Sequence, residues 1–388
     1  MLGPLLFAAP GGSAVQLIEI GGVLLLLGLL AYGAARIGVS VVPLYLLSGL
    51  AFGTGGVIEL ELSQSFLEAA AQIGALLLLL LLGLEYSARE LGQAVNQRRS
   101  IMGIDLLNAI PGAVAGYALG WGAVGAVALA GITYVSSSGI ASQLMRDSGW
   151  QRSEVARRTV SILVIEDLAL APYLPLVTSL ATGLSALAGV ISVGAALIIT
   201  GVVLLIGVRN ETGLSNLLNA REPNALLLTV FGSALLAAGV ATLVGFSGAV
   251  AAFLVGLLLT GEVAQAVRTR LSPLRDLFSA LFFLFFGLAT DPADIPPVLP
   301  LALGLAVLGV AGKMYVGWWI AHDMSDKMSW RRIGAFLTPR GEFSIVIAGL
   351  VGGAVFGPEI QALTTAYVIA TAVLGSVLLV AFRSQLSK

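Results

Sequence analysis

The sequence predicts an all-α polytopic membrane protein of about thirteen transmembrane helices, arranged as inverted repeats with two crossed discontinuous helices. Three observations carry that expectation. Hydrophobic residues fill 58% of the 388 positions and charged residues only 11%, whereas soluble domains hold roughly a quarter charged. Apolar runs long enough to cross a hydrocarbon layer of roughly 30 Å recur along the whole chain. Two of these runs are broken at mid-depth by polar, glycine-containing segments. The 48 glycines suit helices that pack closely through small residues, and the absence of cysteine removes disulfides and thiolate metal sites.

Hydropathy and turn signals place the spans, in order, at 15–35, 39–53, 66–84, 100–119, 122–145, 158–181, 186–207, 224–244, 247–261, 275–290, 297–321, 332–350 and 361–382. The opening MLGPLLFAAPGG has no positive n-region and reads as a short external tail rather than a signal peptide. The second, ninth and tenth spans are short, as distorted helices or tight neighbours are. Three consecutive serines, Ser136, Ser137 and Ser138, precede Gly139 at the centre of the fifth span. Pro339, Arg340, Gly341 and Glu342 interrupt the twelfth. Proline removes a helix donor and glycine weakens the ladder, so each break exposes backbone groups at mid-membrane. The seventh span connects two antiparallel halves, each with one broken helix, which is the sequence signature of an inverted-repeat secondary transporter with a midplane site.

Orientation follows from the basic residues. With the N-terminus outside, the inner loops collect Arg36, Arg89, Arg98, Arg99, Arg146, Arg152, Arg157, Arg158, Arg209, Arg221, Arg268, Arg270, Arg275, Lys327, Arg331, Arg332, Arg383 and Lys388, which are 18 of the 20 Lys and Arg. The outer loops hold Glu59, Glu61, Asp291, Asp294 and Glu359 instead. The positive-inside rule therefore puts the N-terminus outside and the C-terminus in the cytoplasm, and a prokaryotic inner membrane is the expected location.

The remaining charges lie inside the membrane. Glu166 and Asp167 are adjacent in the sixth span, with Asp167 about 13 Å from the Arg158 end. Lys313 and Arg340 reach the same depth, about 12–13 Å from the cytoplasmic edge. Buried charges there cost several kcal/mol unless paired, neutralised or facing water, so an ion or proton pathway is the expected use. Asp167 is the preferred carrier: its carboxylate offers hard oxygen ligands to an alkali cation and also accepts a proton. Ser137 and Ser138 hydroxyls, with carbonyls freed by the break, would complete the cation shell. Lys313 would pair with Glu166, and Arg340 and Glu342 would compensate the half-helix ends. Asp105 either lines the cytoplasmic funnel or serves, with Asn108, in helix pairing. His322, the single histidine, sits at the inner rim.

At these residues the chain resembles the membrane domain of the monovalent cation:proton antiporter-2 family, nearest the potassium-efflux type. The resemblance runs through GLEYSARE, TYVSSSGIASQLMRDSG, LVIEDLALAP, FSGAVAAFLVGLLL, LFFLFFGLATDP, GKMYVGWWIA and RGEFSIVIAG, in that order. It implies a homodimer in the lipid bilayer, with a dimerisation scaffold (residues 1–99 and 224–290), a mobile transport core (100–181 and 297–382) and 186–207 between them. It also implies exchange of K⁺ for H⁺ by alternating access, with Na⁺/H⁺ antiport as the alternative. Where the potassium-efflux type commonly has Gln before the transport Asp, this chain has Glu166. Larger relatives append a nucleotide-binding domain, whereas here RSQLSK follows the last span and no G-x-G-x-x-G loop stands in a strand–turn–helix context. Any such gating would therefore come from a separate soluble cytoplasmic subunit. No nucleic-acid partner and no bound cofactor beyond the transported K⁺ (or Na⁺) and H⁺ are expected.

Other function classes fit less well. A cation channel would use midplane polar groups, but no TVGYG-like filter is present. An intramembrane protease needs two facing Asp residues, a Ser–His pair or H-E-x-x-H, and adjacent carboxylates diverge by about 100° around a helix. If Glu166 and Lys313 both stay charged, exchange is one for one and electroneutral. If Lys313 loses its proton on cation binding, a second proton enters the cycle.

Overall fold

The computed structural model describes residues 12–37, 40–53, 56, 64–85, 99–150, 153–181, 194, 198, 202, 205, 223–243, 248–322, 324–326 and 328–383. Among them the regular elements are all helical. The first half holds α1 (Gly12–Ile37), α2 (Val42–Phe52), α3 (Gln64–Glu85), α4 (Arg99–Leu106), α5 (Ile110–Ala118), α6 (Gly122–Tyr134), α7 (Ser138–Asp147) and α8 (Glu154–Ala181). The second holds α9 (Pro223–Leu243), α10 (Gly248–Leu257), α11 (Gly261–Leu288), α12 (Ile295–Ile320), α13 (Ser329–Leu337), α14 (Glu342–Leu350) and α15 (Gly357–Arg383). Seven helical stretches among the described residues are long and apolar enough to cross a membrane, including 122–145 and 329–350 taken across their breaks. The expected connecting span 186–207 falls largely outside the described residues, as do Arg89, Arg98, Arg152, Arg209, Arg221, Lys327, Lys388, Glu59 and Glu61.

Two sets of helices pack among themselves. In the first, α3 lies against α10 and α11, α2 against α11, and α9 against α10. Leu77, Leu80, Leu81, Ala252 and Leu271 are buried there. Glycine brings α3 and α10 together: a Cβ on Gly83 would stand 2.9 Å from the Gly256 Cα, and the reverse holds at the same distance. Small residues meeting backbone to backbone supply the dispersion contacts that replace a hydrophobic driving force in lipid. In the second set α5 packs on α6, α12 on α13 and α15, and α14 on α6 and α15. Its interior includes Ile132, Ile345, Ile347, Leu363 and Tyr367.

The structure corrects two boundaries. Residues 262–274, expected as an inner loop before a short tenth span, continue the helix, so α11 runs unbroken over 28 residues and through Pro273. Hydropathy registers the charges there as a loop, but Arg268, Ser272, Arg275, Asp276 and Ser279 recur at helical spacing and line one cavity. The fourth span is also not one smooth helix. A 3₁₀ turn at Leu107–Ala109 separates α4 from α5, just before Pro111, which has no N–H to donate back to the Leu107 carbonyl. Ile110 N–H bonds the Leu107 carbonyl instead.

Side-chain clamps tie the second set at both ends. At one, Trp121 stacks on Phe356 with ring centroids 5.1 Å apart, and its indole N–H donates to Glu359 at 3.2 Å. At the other, the Arg158 guanidinium donates to the Ile320 carbonyl at 2.9 Å, and Arg332 lies between Asp326 (2.6 Å) and the Trp150 ring (4.5 Å). His322 is exposed in the turn that follows α12. The Met328 backbone N–H, with the Arg332 guanidinium beside it, holds the Asp326 carboxyl below its ordinary value of 3.8. A depressed carboxyl stabilises the fold above its unfolded value and loses that contribution as pH falls through the folded one. The clamp should therefore be constant between pH 5 and 8 (about the range of maximal stability for most proteins) and release only in acid. Asp326→Asn is expected to lower the melting temperature of detergent-purified protein at pH 7, with the difference from wild type closing below about pH 4. A gap that stays open at low pH would count against the clamp.

Candidate functional site

The two breaks touch. Helix α6 ends at Tyr134 and α7 begins at Ser138, while α13 ends at Leu337 and α14 begins at Glu342. Ser137 N–H donates to the Pro339 carbonyl at 2.8 Å, Ser136 Oγ to the Leu337 carbonyl at 2.7 Å, and Ser344 Oγ to the Ile132 carbonyl at 3.0 Å. Gly341 permits this approach, because a Cβ there would fall 2.7 Å from Ser137 Oγ. The backbone groups that both helices surrender at mid-span are thus satisfied largely by each other, as a water-poor environment requires.

Four half-helix ends meet at this crossing, and charged side chains answer their partial charges. Arg340 is fully buried and directs its guanidinium at carbonyl ends: Thr133 at 2.7 Å, Leu337 at 3.0 Å and Thr338 at 2.7 Å. Among the described residues it makes no ion pair. Glu342 occupies the amide ends. It opens α14, accepts from Ser137 Oγ at 2.6 Å and lies 3.4 Å from the Gly139 N–H in the first turn of α7. Ser137 in turn caps α7 by accepting the Ile140 N–H at 3.1 Å.

The buried charges gather beside the crossing. Lys313 Nζ, from α12, stands 2.9 Å from Glu166 Oε1 on α8 and 2.7 Å from Asp105 Oδ1 on α4, with all three side chains 0% exposed. Glu166 also accepts from the Ser136 N–H, with its Oε1 3.2 Å from the Ser136 Oγ whose proton goes to Leu337, which fastens the cluster to the first break. The Tyr134 ring lies 5.3 Å from Lys313 Nζ. Asp167, the next residue on α8, is 1% exposed and its side chain projects about 100° around the helix from that of Glu166.

Asp105, to which the sequence gave either a cytoplasmic funnel or a helix-pairing role with Asn108, is fully buried and ion-paired to Lys313 of α12. The 3₁₀ turn after α4 draws this segment against α12, and Asn108 Nδ2, from within the turn, donates to the Asp105 carbonyl at 2.8 Å. Ser136 and the Thr133 carbonyl were also missed as partners. The available signal was Asp105 and Asn108 one turn apart just before Pro111, a polar stripe running into a helix distortion. Of the carbonyls at the first break, expected to complete a cation shell, that of Thr133 is engaged by Arg340 and that of Ile132 by Ser344.

A cavity of about 350 Å³ opens between α7 and α14 on one wall and α3 and α11 on the other. Asp276 and Arg275 stand at its exposed end, with side chains 67% and 30% accessible, while Glu342, 6% exposed, lies at its closed end beside Ser138 and Gly139. Ser138 therefore faces this cavity, whereas Ser137 turns to Glu342.

Comparison with known proteins gives one family. A model described as "Sodium/hydrogen exchanger, transmembrane" matches residues 22–382. The K(+)/H(+) antiporter subunit KhtU of Bacillus subtilis is 30% identical over 378 residues, covering 92% of this chain and 91% of that protein. The ammonium/H(+) antiporter subunit AmhT of Alkalihalophilus pseudofirmus is 28% identical, with 94% and 92% covered. The chloroplastic K(+) efflux antiporter 2 of Arabidopsis thaliana is 28% identical over 82% of this chain but only 28% of its own length. Among solved structures, the electron-microscopy map of the sodium proton antiporter MjNhaP1 from Methanocaldococcus jannaschii gives a TM-score of 0.66 at 20% identity over 96% of both chains. Its structure at pH 8 gives 0.62 at 16% identity, over 95% and 99%. At those identities the likeness is one of fold.

Proposed function

The chain belongs to the sodium/hydrogen exchanger transmembrane family and is an integral-membrane cation/proton antiporter; from that premise we propose that it exchanges K⁺ for H⁺ by alternating access, with Asp167 binding cation and proton in turn. The observation that carries this is the pair of touching helix breaks with Glu166 and Lys313 fastened to them and Asp167 alongside. A carboxylate there meets no bulk water, so it gains from a cation or a proton and not from neither. Glu166 and the serines of the first break would complete the cation site, while Arg340 and Glu342 hold the half-helix ends whichever ion is bound. The cavity ending at Glu342 would be the cytoplasmic entrance, with the N-terminus outside in keeping with the basic residues.

The two packed sets of helices fit a division of labour. The set containing α2, α3, α9, α10 and α11 would form the scaffold of a homodimer, and α4–α8 with α12–α15 the moving core, in a thirteen-span inverted repeat. Selectivity for K⁺ is favoured by the two plant and Bacillus relatives named for K⁺, and those named as subunits fit a separate soluble cytoplasmic partner.

The test is exchange in proteoliposomes with K⁺, Rb⁺, Na⁺, Li⁺ and NH₄⁺ under an imposed pH gradient. K⁺ and Rb⁺ should dissipate the gradient at least about tenfold faster than Li⁺ at equal concentration, which corresponds to about 1.4 kcal/mol of selectivity. Faster exchange with Na⁺ and Li⁺ would make the protein a sodium antiporter. Cation flux that proceeds without proton counterflow would make it a channel.

A further inference from the structure

We propose that a groove between α2 and α15 holds one acyl chain of a phospholipid from the cytoplasmic leaflet, lodged where the two packed sets of helices meet. The groove has a volume of about 430 Å³. Helix α2 lines it with Pro43, Leu44 and Leu47, and α15 with the face that runs from Ile369 to Ala381. That stretch of α15 is about 18 Å long at helical rise, close to the roughly 15 Å of hydrocarbon in one leaflet. Its deep end is level with the helix crossing, since the Arg340 N–H donates to Thr371 Oγ1 at 3.2 Å. Its shallow end lies just before Arg383, where α15 stops on the side that the basic residues assign to the cytoplasm.

The lining decides what fills this space. A trapped water needs about two to four polar partners. The polar side chains lining the groove are Ser40 and Ser376, and both hydroxyls are engaged: Ser40 Oγ accepts the Val42 N–H at 3.3 Å, and Ser376 Oγ donates to the Ala372 carbonyl at 2.9 Å. A void would forfeit dispersion contacts along the whole lining. An acyl chain restores them. Leu47, Val373, Val377 and Val380 line the groove and are exposed, so it is continuous with the lipid-facing surface of an integral membrane protein. The chain enters sideways from the bilayer and is held by packing, because lipid tails are already as apolar as the groove.

The groove is one helix away from the second break. Helix α15 turns Val373 and Val377 to the groove, and Thr371 and Gly375, about 200° around the helix, to the break. Gly375 admits Pro339 closely: a Cβ there would stand 2.6 Å from Pro339 Cγ. Helix α2 belongs to the scaffold and α15 to the moving core in the division proposed above. A chain between them braces the present arrangement and must be shed or carried along when the core moves, so lipid packing reaches the ion site through α15. That consequence rests on the proposed antiport cycle, whereas occupancy of the groove does not.

The test is photolabelling in proteoliposomes that contain a trace of phosphatidylglycerol with a diazirine on one acyl chain, either half way along it or near its terminal methyl. Labelled residues are identified by mass spectrometry after irradiation. The mid-chain probe should label Pro43 and Ser376, and the terminal probe Ile369 and Ala372. Pro43, Ser376 and Ala372 are buried, so a chain passing outside the groove does not reach them. Val377→Trp, which puts an indole into the groove, should lose these labels and keep the label on the exposed α9 face around Leu236. Label confined to exposed residues such as Val373 and Val380 overturns the proposal. So does label on α9 with none in the groove, which would mean that another segment of this chain or a second copy covers it. A reversed depth order, or an unchanged groove label in Val377→Trp, overturns it too. If Val377→Trp does not fold, the labels on Pro43 and Ser376 in wild type decide alone. Cation/proton exchange is read on the same vesicles: its absence with the groove labelled counts against the antiport cycle and leaves the lipid site standing.

Discussion

Asp167→Asn should reduce cation-dependent proton movement in proteoliposomes to the leak of protein-free vesicles, while the purified protein remains folded. The amide keeps the shape of the side chain but neither takes a proton nor offers a full charge to a cation. The side chain is 1% exposed, so no water stands in for the missing charge. Asparagine also matches aspartate in volume, so the packing around the side chain should hold. That combination separates a carrier from a structural acid, whose loss would lower stability and leave residual exchange. Near-wild-type exchange by Asp167→Asn would sink the central assignment.

Arg340→Met is expected to give the largest loss of stability of any single substitution at the site. The guanidinium bonds carbonyls at the ends of both α6 and α13, and its own N–H donates to no helix partner but to Thr371 Oγ1 at 3.2 Å. Methionine fills the volume and leaves the Thr133, Leu337 and Thr338 carbonyls without the guanidinium. Leu337 keeps the Ser136 hydroxyl, so two carbonyls lose their donor at about 1–3 kcal/mol each, about 2–6 kcal/mol in total. Arg340→Lys should recover part of this, because an ammonium supplies the charge but not a planar fork reaching two helices. Thermal unfolding in detergent reads both variants. A melting temperature unchanged in Arg340→Met would show that the helix breaks hold without it.

Much of the architecture was legible in one dimension because the bilayer imposes a strong rule: backbone must be hydrogen-bonded internally, so long apolar runs are helices and their interruptions are conspicuous. The serine run and the Pro-Arg-Gly-Glu segment stood out for that reason, as did Glu166, Asp167, Lys313 and Arg340, since an ionisable group within an apolar run is costly wherever it points. The failures have the same origin. Residues 262–274 looked like a loop because hydropathy averages over all faces of a helix, whereas α11 confines its polar residues to the cavity side. The 3₁₀ turn after Asp105 leaves hydropathy unchanged, since it alters the bonding of a few carbonyls and not the composition.

The sequence by itself determined that the chain threads a membrane and which charges lie buried within it, because transfer costs depend on residue type and run length alone. Shared depth suggested Lys313 beside Glu166, but only the tertiary structure brought Asp105 to the same ammonium and set the carbonyls that Arg340 binds. Lys313 is 208 residues from Asp105 and 147 from Glu166, and Arg340 is 207 from the Thr133 carbonyl it binds. Nothing in local spacing relates such positions. Hydrogen bonds are satisfied or lost over a few tenths of an ångström, and that precision arises where α4, α6, α8, α12 and α13 converge.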